Sequence, residues 1–430
     1  MPYLARQHVY NNFQAWLCIY VLYYVSTLGP LLSGNTPLLR LFIYPFFGIL
    51  LLIFCLQFIY LRSSFRVLPG LSIYLYIIII SLSILCIFRG FFQPIDINSI
   101  RSLLFSRSES ILVWIIPLGL HFGVSSRFWF HLFLRIRLLI SIGILYTFLF
   151  LSLGLSSGNI FEHKMYNSCD YLFLAPLLIA LSVIKFNKIN IIIGAIGIIM
   201  LNLLMFSAGE RFAIAFEGLI IVFYILLVIV MKKRLKVKMY LMLITIIVAS
   251  FSSLFIFKSE FFSRQIERYF VEGAAWQESR GDGLLMRSVP KDMNLLQKMF
   301  GKGIKGTYEV EHTYLDRGYK VRYDRSSVEI GYMQMFLKAG SLYVFVFVSI
   351  SIIAVFLGLF HSKNKITQFL AFMIIARLII MFVAMIPRVG FEFFFYWVAL
   401  GGCLSKEVRF LSDSDFISKL WTKKAVLKLQ

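Results

Sequence analysis

Long uncharged stretches recur along this chain, and they limit its fold more than any other feature. "LSIYLYIIIISLSILCIF" occupies positions 71–88, and "MYLMLITIIVASFSSLFIF" occupies positions 239–257. At ~1.5 Å rise per residue, a helix of about 20 apolar residues crosses the ~30 Å hydrocarbon core of a bilayer. Soluble domains are about 45–50% apolar and about 25% charged, and they seldom repeat such runs from end to end. Here 60% of the 430 residues are hydrophobic, 15% are charged and 45 are Phe. The expected fold is an all-α, polytopic membrane protein.

Apolar runs between charged or turn-rich breaks give about twelve spans. They lie near 13–32, 41–61, 68–88, 111–126, 138–157, 171–184, 191–206, 212–231, 239–257, 341–360, 368–386 and 391–405. Pro45, Pro117 and Pro176 fall inside spans, where neighbouring helices re-satisfy the freed backbone groups. The chain divides into an N-terminal bundle of about nine spans (1–257), a large hydrophilic loop (258–330), three further spans (331–405) and a basic tail (406–430). The opening "MPYLARQHVYNNFQAW" lacks the basic, apolar, small-residue order of a cleavable signal, so the first span is expected to direct insertion. Cys18, Cys55, Cys86 and Cys403 sit within apolar runs as small hydrophobes. Cys169 flanks a span, and neither a disulfide framework nor a zinc spacing is present.

Lysine and arginine in the short connections set the expected orientation, because cytoplasmic connections carry an excess of them. Every second connection ("RSSFR", "RFWFHLFLRIR", "KFNK", "KKRLKVK", "HSKNK"), with Arg6 and the tail after Leu404, holds 21 of the 43 basic residues. The same set holds three acids, Glu407, Asp413 and Asp415. The alternate connections, 89–110, 158–170, 207–211 and 387–392, hold six of each sign. Both termini are therefore expected in the cytoplasm. The net charge of +22 is read as a topology signal, and no nucleic-acid partner is expected.

Residues 258–330 hold 13 basic and 11 acidic residues, over half of the chain's 21 acids. Long domains translocate regardless of their charge, so this loop is expected on the outer, periplasmic side. Arg264 and Arg268 stand four apart with Glu260 and Glu267 nearby, the pattern of a solvated helix laced by ion pairs. "KDMNLLQKMF" (291–300) offers Asp292 as a helix cap and gathers Met293, Leu296, Met299 and Phe300 on one face. An interfacial helix on the membrane or over a cavity has that pattern. "GKGIKGT" (301–307) resembles a phosphate loop, but that motif needs Lys directly after its second Gly, and here Thr307 follows Gly306. The segment reads as a flexible turn, or as a backbone cradle for a lipid-linked pyrophosphate.

The loop closes on "DRGYKVRYDRSSVEIGY" (316–332), with His312 just before it and Gln334 and Lys338 just after. Arg317, Arg322 and Arg325 alternate there with tyrosines, followed by Glu329 and Tyr332. Guanidinium forks bind phosphate oxygens in pairs, and tyrosine faces pack on sugar rings. A membrane-edge anchor or a solvated face accounts for the same charges. His163 and His312 are the only histidines in the outer connections, so no metal site is expected.

A second outer cluster is the tight turn in "FSAGERFAIAFEG" (206–218), with Glu210 and Arg211. Glu217 lies seven residues beyond Glu210, on the same helical face as it enters the membrane. A charge at the centre of a span costs ~2.5–3.5 kcal/mol or more, so Glu217 needs a partner. Arg377, midway along its expected span, is the candidate counter-ion, and Arg388 in "PRVGFE" reaches the same outward vestibule. A purely structural ion pair fits these residues equally.

With these features assembled, the layout resembles the O-antigen (oligosaccharide repeat unit) polymerases, relatives of the O-antigen ligases. Shared are about a dozen spans, cytoplasmic termini and one large outer loop before the last three spans. "FGKGI" (300–304), the histidine at 312, "SSVEIGYMQMFLKAGSL" (326–342) leading into a span, and the "SAGER" turn carry the likeness. It covers the architecture of nearly the whole chain. In the ligases Asn or Ser typically follows the late-loop histidine, whereas Thr313 follows His312 here.

The resemblance implies a glycosyltransferase C-like bundle in the bacterial inner membrane that needs neither metal nor cofactor. Its substrates would be undecaprenyl-pyrophosphate-linked oligosaccharides. Membrane lipids and a chain-length regulator protein would be its other partners. The chemistry suits the residues: fixed arginines stabilise charge developing on a pyrophosphate leaving group, and a carboxylate or neutral imidazole takes the proton of the attacking hydroxyl. Glu329 is the first candidate base and His312 the second. Arg211, Arg322, Arg325, Arg317, Arg388, Glu210 and Tyr332 are the candidate substrate contacts. The alternatives are a flippase of lipid-linked oligosaccharides, or a ligase. Flippases tend to have short loops and two similar halves; this chain has one outsized loop and no evident repeat.

Overall fold

A helix satisfies every backbone N–H and C=O within its own segment, the condition that a lipid surrounding imposes on apolar runs. The computed structural model describes residues 13–22, 24, 44–64, 68, 70–92, 97–106, 109–157, 172, 174–184, 188–207, 289–314, 319–328, 330–382 and 387–415. Of these, 83% are helical. The helices are α1 (Phe13–Leu22), α2 (Tyr44–Ser64), α3 (Gly70–Phe91), α4 (Ile97–Phe105), α5 (Ile111–Val124), α6 (Ser126–Ser157), α7 (Ala175–Ile184) and α8 (Lys188–Ser207). After them come α9 (Leu295–Phe300), an antiparallel hairpin of β1 (Tyr308–Tyr314) and β2 (Tyr319–Arg325), α10 (Gly331–Phe360), α11 (Lys365–Ile380), α12 (Phe391–Leu404) and α13 (Lys406–Arg409). The spans expected at 212–231 and 239–257, and the outer loop up to position 288, lie outside the described residues.

Three helices, α3, α6 over Ser126–Phe148, and α10, are long and apolar enough to cross a membrane. Their side chains are sorted as lipid would sort them. The buried stripe of α3 runs Ser72, Tyr76, Ile79, Ser83, Cys86, Gly90, the i+3/i+4 spacing of one helical face. Its exposed positions are large and apolar: Leu71, Tyr74, Ile77, Phe88. On α10 the exposed set is Phe345, Ile352, Phe356 and Phe360, while Ser351, Ala354 and Gly358 are buried. Small residues inward and bulky apolar residues outward is the packing of helices in a bilayer.

Helix α12 is the centre of the bundle, with all 14 of its residues buried. It meets α5 backbone to backbone: a Cβ on Gly123 would lie 1.8 Å from the Val398 carbonyl, and one on Gly401 would lie 2.1 Å from that of Leu120. Pro117 turns the middle of α5 into a 3-10 segment, Ile116–Gly119, because the ring cannot donate to the helical ladder. Trp129, Phe394, Phe395 and Trp397 fill the space around this seam. At the bundle end away from the hairpin, Asn364 caps α11 and donates to the Val408 and Leu411 carbonyls, fixing the start of the tail.

Four expectations change. The all-α class gains a two-stranded hairpin inside the hydrophilic stretch expected as the outer loop. The stretch "RFWFHLFLRIR", expected as a connection, is the opening of the 32-residue helix α6; its apolar positions pack Phe128, Trp129, Leu132 and Phe133 into the core. Helix α11 stops at Ile380, so Arg377 sits in its last turn rather than midway along a span. Asn294, not Asp292, caps α9, because Asn294 and Gln297 exchange both bonds of a capping box, which settles two of the orphan amides at once. The Asp292 carboxylate instead accepts from the Glu309 amide, 2.9 Å.

Candidate functional site

Residues 289–314 and 319–328 fold onto one end of the bundle, and a glycine crossing pins them there. Gly301 (φ 75°) ends α9, and Gly340 (φ 85°) interrupts α10. A Cβ on Gly301 would lie 2.1 Å from the Lys338 carbonyl, and one on Gly340 would lie 2.2 Å from that of Met299. Only glycine allows both the conformation and the approach. The two backbones then bond directly: Lys302 N–H donates to Leu337 O at 2.8 Å, and Gly303 N–H to Lys338 O at 2.9 Å.

Lys338 completes the lock. It is 1% exposed, and its ammonium donates to the carbonyls of Ile304 (2.8 Å) and Gly306 (2.9 Å). Ile304 N–H in turn donates to the Cys86 carbonyl near the end of α3, 3.1 Å. A buried ammonium costs several kcal/mol unless it is well paired, so the carbonyls of the turn fold around it. The cradle alternative for "GKGIKGT" loses its donors here. The amides of Gly301, Lys302, Gly303, Ile304 and Gly306 are all committed to backbone carbonyls, so the segment is a structural turn.

Sequence reasoning passed over Glu109, which joins this loop to the bundle. Its carboxylate accepts from Ser102 at 2.8 Å and from Ser326, and its amide donates to Ser106 at 3.2 Å. As one of two acids in the short connection 89–110, Glu109 carries no motif, so its partner 217 positions away was not legible. Nearby, Gln334 accepts from the Val328 amide at 2.7 Å, and Tyr308, Met293, Val328, Ile330 and Leu337 form a small apolar core beneath the hairpin.

The hairpin register positions the arginines. Tyr308 pairs with Arg325, Glu311 with Arg322 and His312 with Val321. Tyr308 is buried and Arg325 half-buried, whereas Glu309 and Asp324 are exposed. Successive positions along a strand face opposite sides, so position 325 belongs to the face against the protein.

A second cluster closes the same end of the bundle. Arg377 pairs with Glu392 through Glu392 Oε1, and Arg388 Nη2 lies 3.6 Å from Glu392 Oε2. The Arg377 and Glu392 side chains are 3% and 8% exposed, and that of Arg388 19%. Beside them is a cavity of about 30 Å³, lined by Met373, Ile374, Arg377, Glu392, Phe395, Tyr396 and Ala399. That is room for a water molecule or two. Tyr332 packs on Phe382 and donates from its hydroxyl to Leu378 O at 2.9 Å. Its amide donates to Met381 O at 3.3 Å, so Tyr332 satisfies carbonyls at the end of α11 that the helix leaves open. Tyr396 shares a 2.6 Å hydrogen bond with Ser351.

Of the sequence-derived candidates, Arg325, Arg388 and Tyr332 stand at this end, with His312 and Arg322 in the hairpin strands. Arg211, Glu210, Glu217, Arg317 and Glu329 lie outside the described residues, and with Glu217 goes its expected pairing to Arg377. Among the described residues, no group of three or more His, Cys, Asp or Glu could hold a metal ion. Comparison with protein-family models, with curated proteins and with solved structures finds no match to this chain.

Proposed function

We propose that the chain is a polymerase of lipid-linked oligosaccharide repeat units, working at the outer face of the bacterial inner membrane with both termini in the cytoplasm. One observation supports this reading above the others. The loop that carries Arg322, Arg325 and His312 is bonded into the ends of α3 and α10, two helices long and apolar enough to span. The phosphates of a lipid carrier sit at that depth, at the edge of the hydrocarbon. A donor pyrophosphate needs fixed cations, and a rigid platform supplies them without reorganisation.

In this reading, a hydroxyl at the non-reducing end of the acceptor glycan attacks the anomeric carbon of the donor. The bond from that carbon to the carrier pyrophosphate breaks, and the pyrophosphate leaves with the electron pair. Glu329 accepts the hydroxyl proton, with His312 as the second candidate. Arg325 and Arg388 hold the pyrophosphate, with Arg211, Arg317 and Arg322 as further contacts and Glu210 at the sugar. The reaction uses no cofactor. Its partners are the undecaprenyl-pyrophosphate-linked oligosaccharide, the surrounding lipids and a chain-length regulator protein.

The test is glycan analysis after deletion of the gene. Collapse of a ladder of long chains to a single repeat unit, restored by the intact gene, is the expected result. Loss of all attached glycan would mean a ligase. Accumulation of unflipped intermediates would mean a flippase, and an unchanged ladder would end the proposal.

A further inference from the structure

Glu392 is a carboxylate where packing alone would call for an apolar side chain. It is the second residue of a helix buried along its whole length, within "GFEFFFYW". Burying a charge costs several kcal/mol, and an apolar replacement for a buried ion pair is often neutral or stabilising. What the carboxylate provides is geometry. One of its oxygens engages Arg377, from the last turn of α11, and the other faces Arg388, from the turn before α12. Two guanidinium groups that would repel one another are thus held side by side. The pair grades from the interior, where Arg377 and Glu392 line the cavity, to the more exposed Arg388. Each guanidinium is a planar fork of five donors, a shape that matches phosphate oxygens in pairs and is compatible with binding a carboxylate as well.

We infer that Glu392 is a positioning residue, whose carboxylate, anchored from inside by Arg377, holds the more exposed Arg388 in place for a phosphate-class oxyanion. The inference rests on the proposed function only in taking that oxyanion to be the pyrophosphate of a lipid carrier.

The experiment uses the full-length protein in nanodiscs with inorganic pyrophosphate as the probe, and reads binding by calorimetry and folding by the thermal midpoint. The intact protein should bind saturably. Glu392→Gln should bind at least tenfold more weakly when measured well below its thermal midpoint, which falls because Arg377 is left buried without its carboxylate. The double variant Arg377→Met with Glu392→Met should fold as well as the intact protein and bind no pyrophosphate. Either variant binding like the intact protein would overturn the inference, and so would an intact protein that binds none. If neither variant folds, the carboxylate is structural and the inference fails. Long-chain synthesis in cells is scored separately. A protein that binds pyrophosphate through Glu392 but never lengthens glycans would leave the positioning role standing and remove the proposed function.

Discussion

Gly340→Ala tests the crossing that holds α9 and the turn after it to the bundle. The added methyl would lie 2.2 Å from the Met299 carbonyl and 2.5 Å from the Gly301 nitrogen. Its backbone, at φ 85° and ψ 175°, is in a region reserved almost wholly for glycine, which costs other residues about 1–3 kcal/mol. To reach van der Waals contact the two chains must part by roughly 1 Å. That separation breaks the bonds from Lys302 to Leu337 and from Gly303 to Lys338, at about 1 kcal/mol each. Together these weaken the lock by about 3–5 kcal/mol. Hydrogen exchange measured by mass spectrometry on nanodisc protein reads this opening in the peptide over 295–307. At ~1.4 kcal/mol per decade, exchange should accelerate at least 100-fold. Gly70→Ala, where nothing lies within 4 Å of the new Cβ, should leave that peptide unchanged. Exchange within threefold of the unaltered protein in Gly340→Ala would refute the lock.

Cysteines placed singly at 280, 235 and 420 should react with a membrane-impermeant reagent at 280 alone, given the 21-to-3 excess of basic over acidic residues in the connections assigned to the cytoplasm; the reverse pattern removes the orientation. Arg325→Lys should reduce long-chain glycan about a hundredfold, or ~2.7 kcal/mol, because Lys offers a point charge in place of a fork. Normal long chains from Arg325→Lys at matched protein levels would remove Arg325 from the pyrophosphate. Glu109→Ala should loosen the Ser326 attachment by about 1–2 kcal/mol after allowance for solvent screening. Trypsin should then cut after Arg325 roughly tenfold faster, and an unchanged rate would show that Glu109 latches nothing.

Much of the fold was legible because lipid leaves the backbone few options. An apolar run of sufficient length can only be a helix, so α2, α3, α8, α10 and α12 fall where the runs do. The kink in α10 falls at Gly340, one residue before the expected span at 341. What misled was charge at helix ends. Arg127, Arg135 and Arg137 read as a loop, yet they ride on α6 with Trp129 and Phe133 packed beneath them. A helix needs only one apolar face, and three long cationic side chains can occupy the other. Likewise the hairpin was hidden because its strands, "YEVEHTY" and "YKVRYDR", carry charges at alternate positions that look like a solvated loop. Period-two alternation with Tyr and Val on one face is a strand pattern.

The site divides differently. Residue type and depth were readable: arginines and tyrosines concentrated where the apolar runs begin, and Arg388 and Arg325 stand at that end of the bundle. Pairing was not readable, because it depends on which helix ends meet. Among the described residues the carboxylate that meets Arg377 is Glu392, 15 positions along, while the expected partner Glu217 lies outside them. The expected span runs six residues beyond α11 and puts Arg377 midway along it. Once α11 ends at Ile380, Arg377 is a last-turn residue and the first turn of the next helix can reach it. The helix end also explains Tyr332, read from sequence as a sugar contact, whose hydroxyl and amide occupy the carbonyls that α11 leaves open. One helix terminus thus fixes the counter-ion, the tyrosine and, through Glu392, the place of Arg388. The turn between α11 and α12 therefore sets the cationic site: lengthening it at 387–390 by one residue would move Arg388 away from Glu392 while leaving Arg377 in place. Pyrophosphate binding should fall with the loop insertion as it does with Glu392→Gln, and binding that survives the insertion would mean that Arg388 takes no part.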